Sequence, residues 1–80
     1  MASSKLDLHS LIVFYHVARE ESITLAADEL CLTQPTVTYH IRALERNIGI
    51  KLLDIKRQKV VLTQAGTGLY GYAAEINHQI

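Results

Sequence analysis

The residues best equipped for chemistry lie between Thr33 and Lys59. Thr33, Gln34, Pro35, Thr36, Thr38, Tyr39, Arg42 and Arg46 form one group, and Lys56, Arg57 and Lys59 form a second. A glutamine amide presents a donor beside an acceptor and can pair bidentately with adenine. A threonine can bond a base edge or set its methyl against thymine, and an arginine can grip guanine or a phosphate. Tyr39 can donate to a phosphate or pack on a base edge. This is the chemistry of recognition, with no bond made or broken. Bond-making candidates are poor: Ser10 beside His9, and Asp54 near Lys56, are chain neighbours without a pocket. No glycine loop suited to phosphate and no paired-acid arrangement accompanies them, so an enzyme is not expected. His9, His16, His40 and His78 are scattered around a lone Cys31. No metal-ligand spacing results, and no metal or cofactor is expected. Cys31 itself is expected in the core or half-buried.

The charge distribution fits that chemistry better than its total. The 80 residues carry 8 basic and 8 acidic groups, a net charge of zero. Residues 1–32 set Lys5 and Arg19 against Asp7, Glu20, Glu21, Asp28 and Glu29, a net −3. Residues 33–59 set Arg42, Arg46, Lys51, Lys56, Arg57 and Lys59 against Glu45 and Asp54, a net +4. The positive field is therefore concentrated where a phosphate backbone could dock, although a merely solvated basic surface would read the same way.

Those residues need elements to position them. From Leu8 to Glu21, apolar residues at Leu8, Leu11, Phe14, Tyr15 and Ala18 have the three-and-four spacing of a helix with one buried stripe. Ser22 and Thr24 are both cap candidates for a second helix, in which Leu25, Ala26, Ala27 and Leu30 supply a short apolar face. A break at Cys31-Leu32-Thr33 follows, with Thr33 the natural cap of a third helix and Pro35 tolerated in its first turn. Along that helix Val37, Ile41, Leu44 and Ile48 fall in one stripe that should face the core, and Pro35, Tyr39, Arg42 and Arg46 fall opposite. Gly49 suits the left-handed end of the helix. Residues 50–63 read as two strand-like runs around the polar tip Lys56-Arg57-Gln58-Lys59, a small hairpin carrying three cations. Such a wing can follow the DNA backbone or enter a minor groove, or simply keep a hairpin tip soluble. Thr63 is a cap candidate for a last helix, with Leu69, Tyr72, Ala73, Ile76 and Ile80 along one side. That stripe has little left to cover in so small a domain, and Gly66, Gly68 and Gly71 each weaken a helix by about 1 kcal/mol relative to alanine. Pairing with a second copy is therefore expected to stabilise it.

The fold class expected is mainly α: a winged helix-turn-helix, with a three-helix core and a two-stranded wing over residues 1–63, followed by a linker or dimerisation helix over 64–80. A composition 49% hydrophobic and 20% charged suits one small globular domain. The longest apolar run, Leu11 to Tyr15, is far short of the roughly 20 residues that span a bilayer, and the N-terminus lacks signal-peptide character. A cytoplasmic protein without a membrane partner is expected.

From Leu8 to about Ile76 the chain resembles the LysR-type transcriptional regulators. The resemblance is carried by Val17-Ala18 with Ser22, by Ala26-Ala27-Asp28-Glu29-Leu30, and by Thr33-Gln34-Pro35-Thr36-Val37-Thr38. Leu44-Glu45, Gly49, Leu52 and Leu62-Thr63-Gln64-Ala65-Gly66 complete it. It implies that Gln34, Pro35, Thr38 and Tyr39 meet bases and phosphates, with Thr33 and Thr36 beside them and Arg42 one turn further along. It also implies wing contacts from Lys56, Arg57 and Lys59. Members bind interrupted palindromes in double-stranded DNA as dimers or tetramers, and carry a C-terminal domain that binds a small-molecule effector. That domain is absent here, so the chain is expected to be a fragment. Three departures stand out: Glu21 where glycine is common, Leu53 for a frequent phenylalanine, and Ile55 where arginine is usual. Gly68 and Gly71 also make the last helix look weaker than typical.

Two rivals remain at this point. The DNA-binding half of a molybdate-responsive winged-helix regulator is similar, and a winged helix can also serve as a protein–protein scaffold. The scaffold predicts no salt-dependent affinity for duplex DNA.

Overall fold

In the computed structural model, which describes residues 7–57 and 59–79 and side chains as far as Glu75, the elements are α1 (Leu8–Glu20), α2 (Ile23–Leu30), α3 (Gln34–Ile48), β1 (Leu53–Lys56), β2 (Lys59–Leu62) and α4 (Gln64–Gln79). Helix α1 lies centrally and packs against α2, α3, α4 and β2. Its covered face is accordingly wider than a single stripe: Leu11, Val13, Phe14, Val17 and Ala18 are all buried. Fully burying a side chain of the Val or Phe class contributes about 1.5–3 kcal/mol, so Val13 and Val17, which a one-stripe reading leaves out, are core residues. Leu8, expected inside, is 58% exposed because it occupies the first turn, at the edge of the packed region.

The helix ends are set by local chemistry. Glu21 closes α1 with φ 54°, a left-handed conformation that explains why glycine suits this position and that costs a residue with a Cβ about 1–2 kcal/mol. The Ser22 hydroxyl then accepts from the Leu25 amide at 3.1 Å, so Ser22 rather than Thr24 is the cap of α2. At the other end of α2 the Leu32 amide reaches back to the Ala27 carbonyl at 2.9 Å and the Cys31 amide to Asp28 at 3.3 Å. This double closure places Cys31 in the left-handed region, with φ 58°. It also corrects the expectation for Cys31: the turn brings Leu32 onto the core and leaves the cysteine exposed.

Ala26 and Ala27 are buried at the contacts of α2 with its neighbours, and their small side chains permit close crossing of α3. In α3, Val37, Ile41 and Leu44 are buried as the stripe requires, whereas Ile48 is 36% exposed in the last turn, beyond the reach of the core. Strands β1 and β2 pair antiparallel from Leu53↔Leu62 to Lys56↔Lys59, and Leu53 and Val60 join Leu52 in the core. Leu53 is fully buried, so the leucine standing where the resemblance implies an aromatic is a core residue.

Helix α4 begins where the Thr63 hydroxyl accepts from the Gly66 amide at 3.0 Å and donates to the Lys51 carbonyl at 2.7 Å. A Cβ on Gly66 would collide with the Leu52 carbonyl, so this glycine serves a close approach of two backbone segments. Contrary to expectation, the α4 stripe has a surface to cover within the chain. It packs on α1, Ala73 is buried, Leu69 lies against the core, and the Tyr70 ring stacks on Tyr15 at 5.6 Å. Of the residues expected to face a second copy, Leu69 and Ala73 thus turn inward and Tyr72 is 57% exposed. The Ile76 side chain and Ile80 lie outside the described residues.

Candidate nucleic-acid interface

Thr33 caps α3, its hydroxyl accepting from the Thr36 amide at 3.3 Å and donating to the Thr36 hydroxyl at 2.9 Å. Both threonines are thereby engaged in holding the start of the helix. Gln34 and Pro35 are exposed in the first turn and Thr38 is half-buried. Gln34 and Thr38 line a cleft of about 510 Å³ together with Ser22, Ile23, Thr24 and Ile55. The cleft joins the N-terminal turns of α2 and α3 to the first strand of the wing. Ser22, Ile23, Thr24 and Ile55 were not among the sequence-predicted contacts, because only the folded chain brings them beside α3. Ile55 is 44% exposed there, an apolar side chain in a polar setting.

Further along the outer face of α3, Tyr39 is 62% exposed and Arg46 is exposed, while Arg42 is half-buried. Arg42 is partly committed: its Nη1 donates to Glu45 Oε1 at 2.7 Å. The other Glu45 oxygen accepts from the Leu52 and Leu53 amides at 2.8 and 3.3 Å. One carboxylate therefore ties α3 to the start of the wing and orients an arginine on the outer face. Burial pushes the Glu45 carboxyl up, but the Leu52 amide, Arg42 and the Leu53 amide outweigh it and hold the group below the usual value of 4.5. Sequence reasoning placed Glu45 only as part of a motif, since its partners lie beyond the end of its own helix.

The wing cations sit at the hairpin tip. Lys56 and Lys59 face each other across the ladder and Arg57 adopts a left-handed turn with φ 52°; all three are exposed. Like charges directly opposite in a ladder oppose pairing. Among the described residues no ion pair engages Arg46, Lys56, Arg57 or Lys59, whereas Lys51 is held by Asp54 at 3.1 Å. Four cations on α3 and the wing are thus left without an acidic partner, a surface suited to a polyanion. Among the described residues no cluster of three metal-ligating side chains forms, and no helix is long and apolar enough to cross a membrane.

Residues 8–67 match the model of the bacterial regulatory helix-turn-helix proteins of the lysR family. The chain belongs to the LysR family. Among its relatives, the RuBisCO operon transcriptional regulator of Allochromatium vinosum is 41% identical over 75 residues, covering 94% of this chain and 25% of the relative. In the crystal structure of the BenM DNA-binding domain with benA site 1 DNA, the protein superposes with a TM-score of 0.85. The two share 36% identity, over 92% of this chain and 86% of the other. The DNA-binding domain of CbnR, also solved with DNA, gives a TM-score of 0.85 at 30% identity, over 92% of this chain and 85% of that one. The winged helix-turn-helix architecture of the LysR DNA-binding domains is therefore that of this chain, in four helices and a two-stranded wing. These relatives are regulators rather than enzymes. The chain spans about a quarter of the length of the curated relatives it matches.

Proposed function

We propose that this LysR-family domain reads double-stranded DNA as part of a transcriptional regulator. The observation that carries the reading is the coincidence, on one structural unit, of a third helix with an exposed base-compatible face and a wing whose tip cations lack acidic partners among the described residues. Arg46, Lys56, Arg57 and Lys59 attract and grip the backbone. Gln34, Thr38 and Tyr39 read base edges, with Arg42 oriented by Glu45, and Thr33, Pro35 and Thr36 shape the helix entry. Residues 1–63 act as the reader and 64–80 as the linker helix. A second copy pairs along α4, where Tyr72 is exposed, so that two readers meet the halves of an interrupted palindrome. A dimer or tetramer of this kind acts in the cytoplasm. A small-molecule effector would act through a part of the regulator outside this chain.

The test is fluorescence anisotropy of the 80-residue protein with random duplex and with a pool of interrupted palindromes, titrated across salt. Binding should weaken steeply with salt, by a log–log slope of about 0.9 per phosphate contact, and one sequence class should be enriched. Salt-independent or absent binding would leave the scaffold reading in its place.

A further inference from the structure

Ser10 is buried in the first turn of α1, only 4% exposed, and its Oγ meets two partners at 3.1 Å: Oδ2 of Asp7 and Nδ1 of His40 on α3. A serine hydroxyl has one proton to give. The Asp7 carboxylate, when ionised, can only accept, so the Ser10 proton goes to Asp7. Oγ must then accept from His40, which places the imidazole proton on Nδ1. The Asp7 carboxyl is held below its usual value of 3.8, chiefly by the Ser10 hydroxyl, so it stays ionised across the neutral range. Both bonds therefore run in one direction, from the imidazole to the hydroxyl to the carboxylate.

The ring fixed in this way has aromatic neighbours on both helices. His9 on α1 meets it edge-on, with centroids 4.6 Å apart, and Tyr39 on α3 meets it edge-on at 5.6 Å. Tyr39 is the exposed ring on the face assigned above to DNA. Ser10, buried and spent on Asp7, is unsuited to act as a nucleophile, and the natural role of such a bridge is to hold a direction.

We propose that Ser10 and His40 are positioning residues for Tyr39: the Asp7–Ser10–His40 relay holds the His40 ring in its Nδ1–H form, and that ring sets how Tyr39 leaves α3. The proposal rests on the reading of α3 as the DNA-contacting helix. A side chain already held in its bound direction loses less freedom on binding, an advantage on the order of two- to tenfold in affinity for one such residue.

Two measurements test it, and the first is independent of DNA. Long-range proton–nitrogen correlation spectra of the histidine rings at neutral pH, assigned with His40→Gln, should show His40 protonated at Nδ1; an Nε2–H ring would overturn the relay. The second compares Ser10→Ala, Tyr39→Ala and the double variant on the duplex that the unaltered chain selects from the palindrome pool, each first shown to be folded by thermal melting. Ser10→Ala should weaken binding roughly two- to tenfold and add nothing once Tyr39 is alanine, and Ser10→Thr should restore it. If Ser10→Ala does not fold, His40→Leu takes its place in the same cycle. Additive losses would show that the pair acts on stability rather than through Tyr39. An undiminished affinity for Tyr39→Ala alone would instead sink the reading of Tyr39 as a DNA contact, and the positioning role with it, even with the tautomer as expected.

Discussion

The two halves of this domain use charge in opposite ways. In the acidic half, Arg19 is held by Glu20 at 3.0 Å and by Glu29 at 2.9 Å, and lies 5.4 Å from the centre of the Tyr15 ring. His16 meets the same Glu29 at 2.8 Å, so α1 and α2 share one network, and the Tyr15–Tyr70 stack extends it to α4. In the basic half, Arg46, Lys56, Arg57 and Lys59 have no acid beside them among the described residues, and two of the lysines oppose each other. A net charge of zero thus conceals one region where Arg19 is paired within the fold and another where, among the described residues, four cations have no acidic partner. Arg42 marks the border, a cation on the side proposed to face DNA that is nonetheless oriented by Glu45.

The largest expected effect tests that contrast directly. Replacing Lys56, Arg57 and Lys59 by alanine together should weaken binding to every duplex alike and lower the salt slope by up to about three, read by anisotropy across salt. Thermal stability should hardly change. Arg19→Ala should do the reverse: no change of slope, and a small loss of stability in urea unfolding, since solvent screens the pairs it breaks. A slope reduced as much by Arg19→Ala as by a single wing lysine would dissolve the distinction between the halves.

Glu45 sharpens the comparison, because it is an acid placed in the basic half for structural work. Glu45→Gln should cost about 1–3 kcal/mol at neutral pH by weakening charge-assisted bonds to two amides and Arg42. Its folded-state value is depressed, so the ionised group contributes stability above the unfolded value of 4.5. That stability is lost as the pH falls through the lower folded value. The difference in urea stability between the unaltered chain and Glu45→Gln should therefore shrink as the pH drops below about 4.5. A difference constant down to strong acid would mean that the carboxylate charge is not what joins α3 to the wing.

What the sequence disclosed and what it withheld divide along physical lines. Features set by neighbours in the chain were legible: the Thr33 cap, the Gly49 end with φ 84°, the Val37–Ile41–Leu44 stripe and the hairpin with its cationic tip all form as their local chemistry demands. Features set by distant segments were not. Nothing in the spacing of Ser10 and His40 foretells a bond across 30 positions, and the two amides that donate to Glu45 lie beyond its helix, at the entry to β1 and on its first residue. Periodicity also says which side of a helix is apolar without saying where packing stops, hence the exposed Leu8 and Ile48 at helix ends. Cys31 was misplaced because residue type argued for burial where the turn geometry argued against it.

Helix α4 belongs to neither half. Glu75 is its one charged residue, so packing rather than ion pairs must hold it. Gly68 and Gly71 would each meet open space with an added Cβ, in contrast to Gly66, which the Leu52 carbonyl excludes. Alanine at either of the two open positions should therefore add about 1 kcal/mol to urea stability at low protein concentration, from helix propensity alone. The same variants bear on the proposed partner. If a second copy seats closely along α4, the added methyl groups should loosen self-association in sedimentation equilibrium while each protomer gains stability. Gly68 and Tyr72 lie one turn apart on the same face, so gains in both would place the pairing contacts away from that face and count against Tyr72 as a pairing residue.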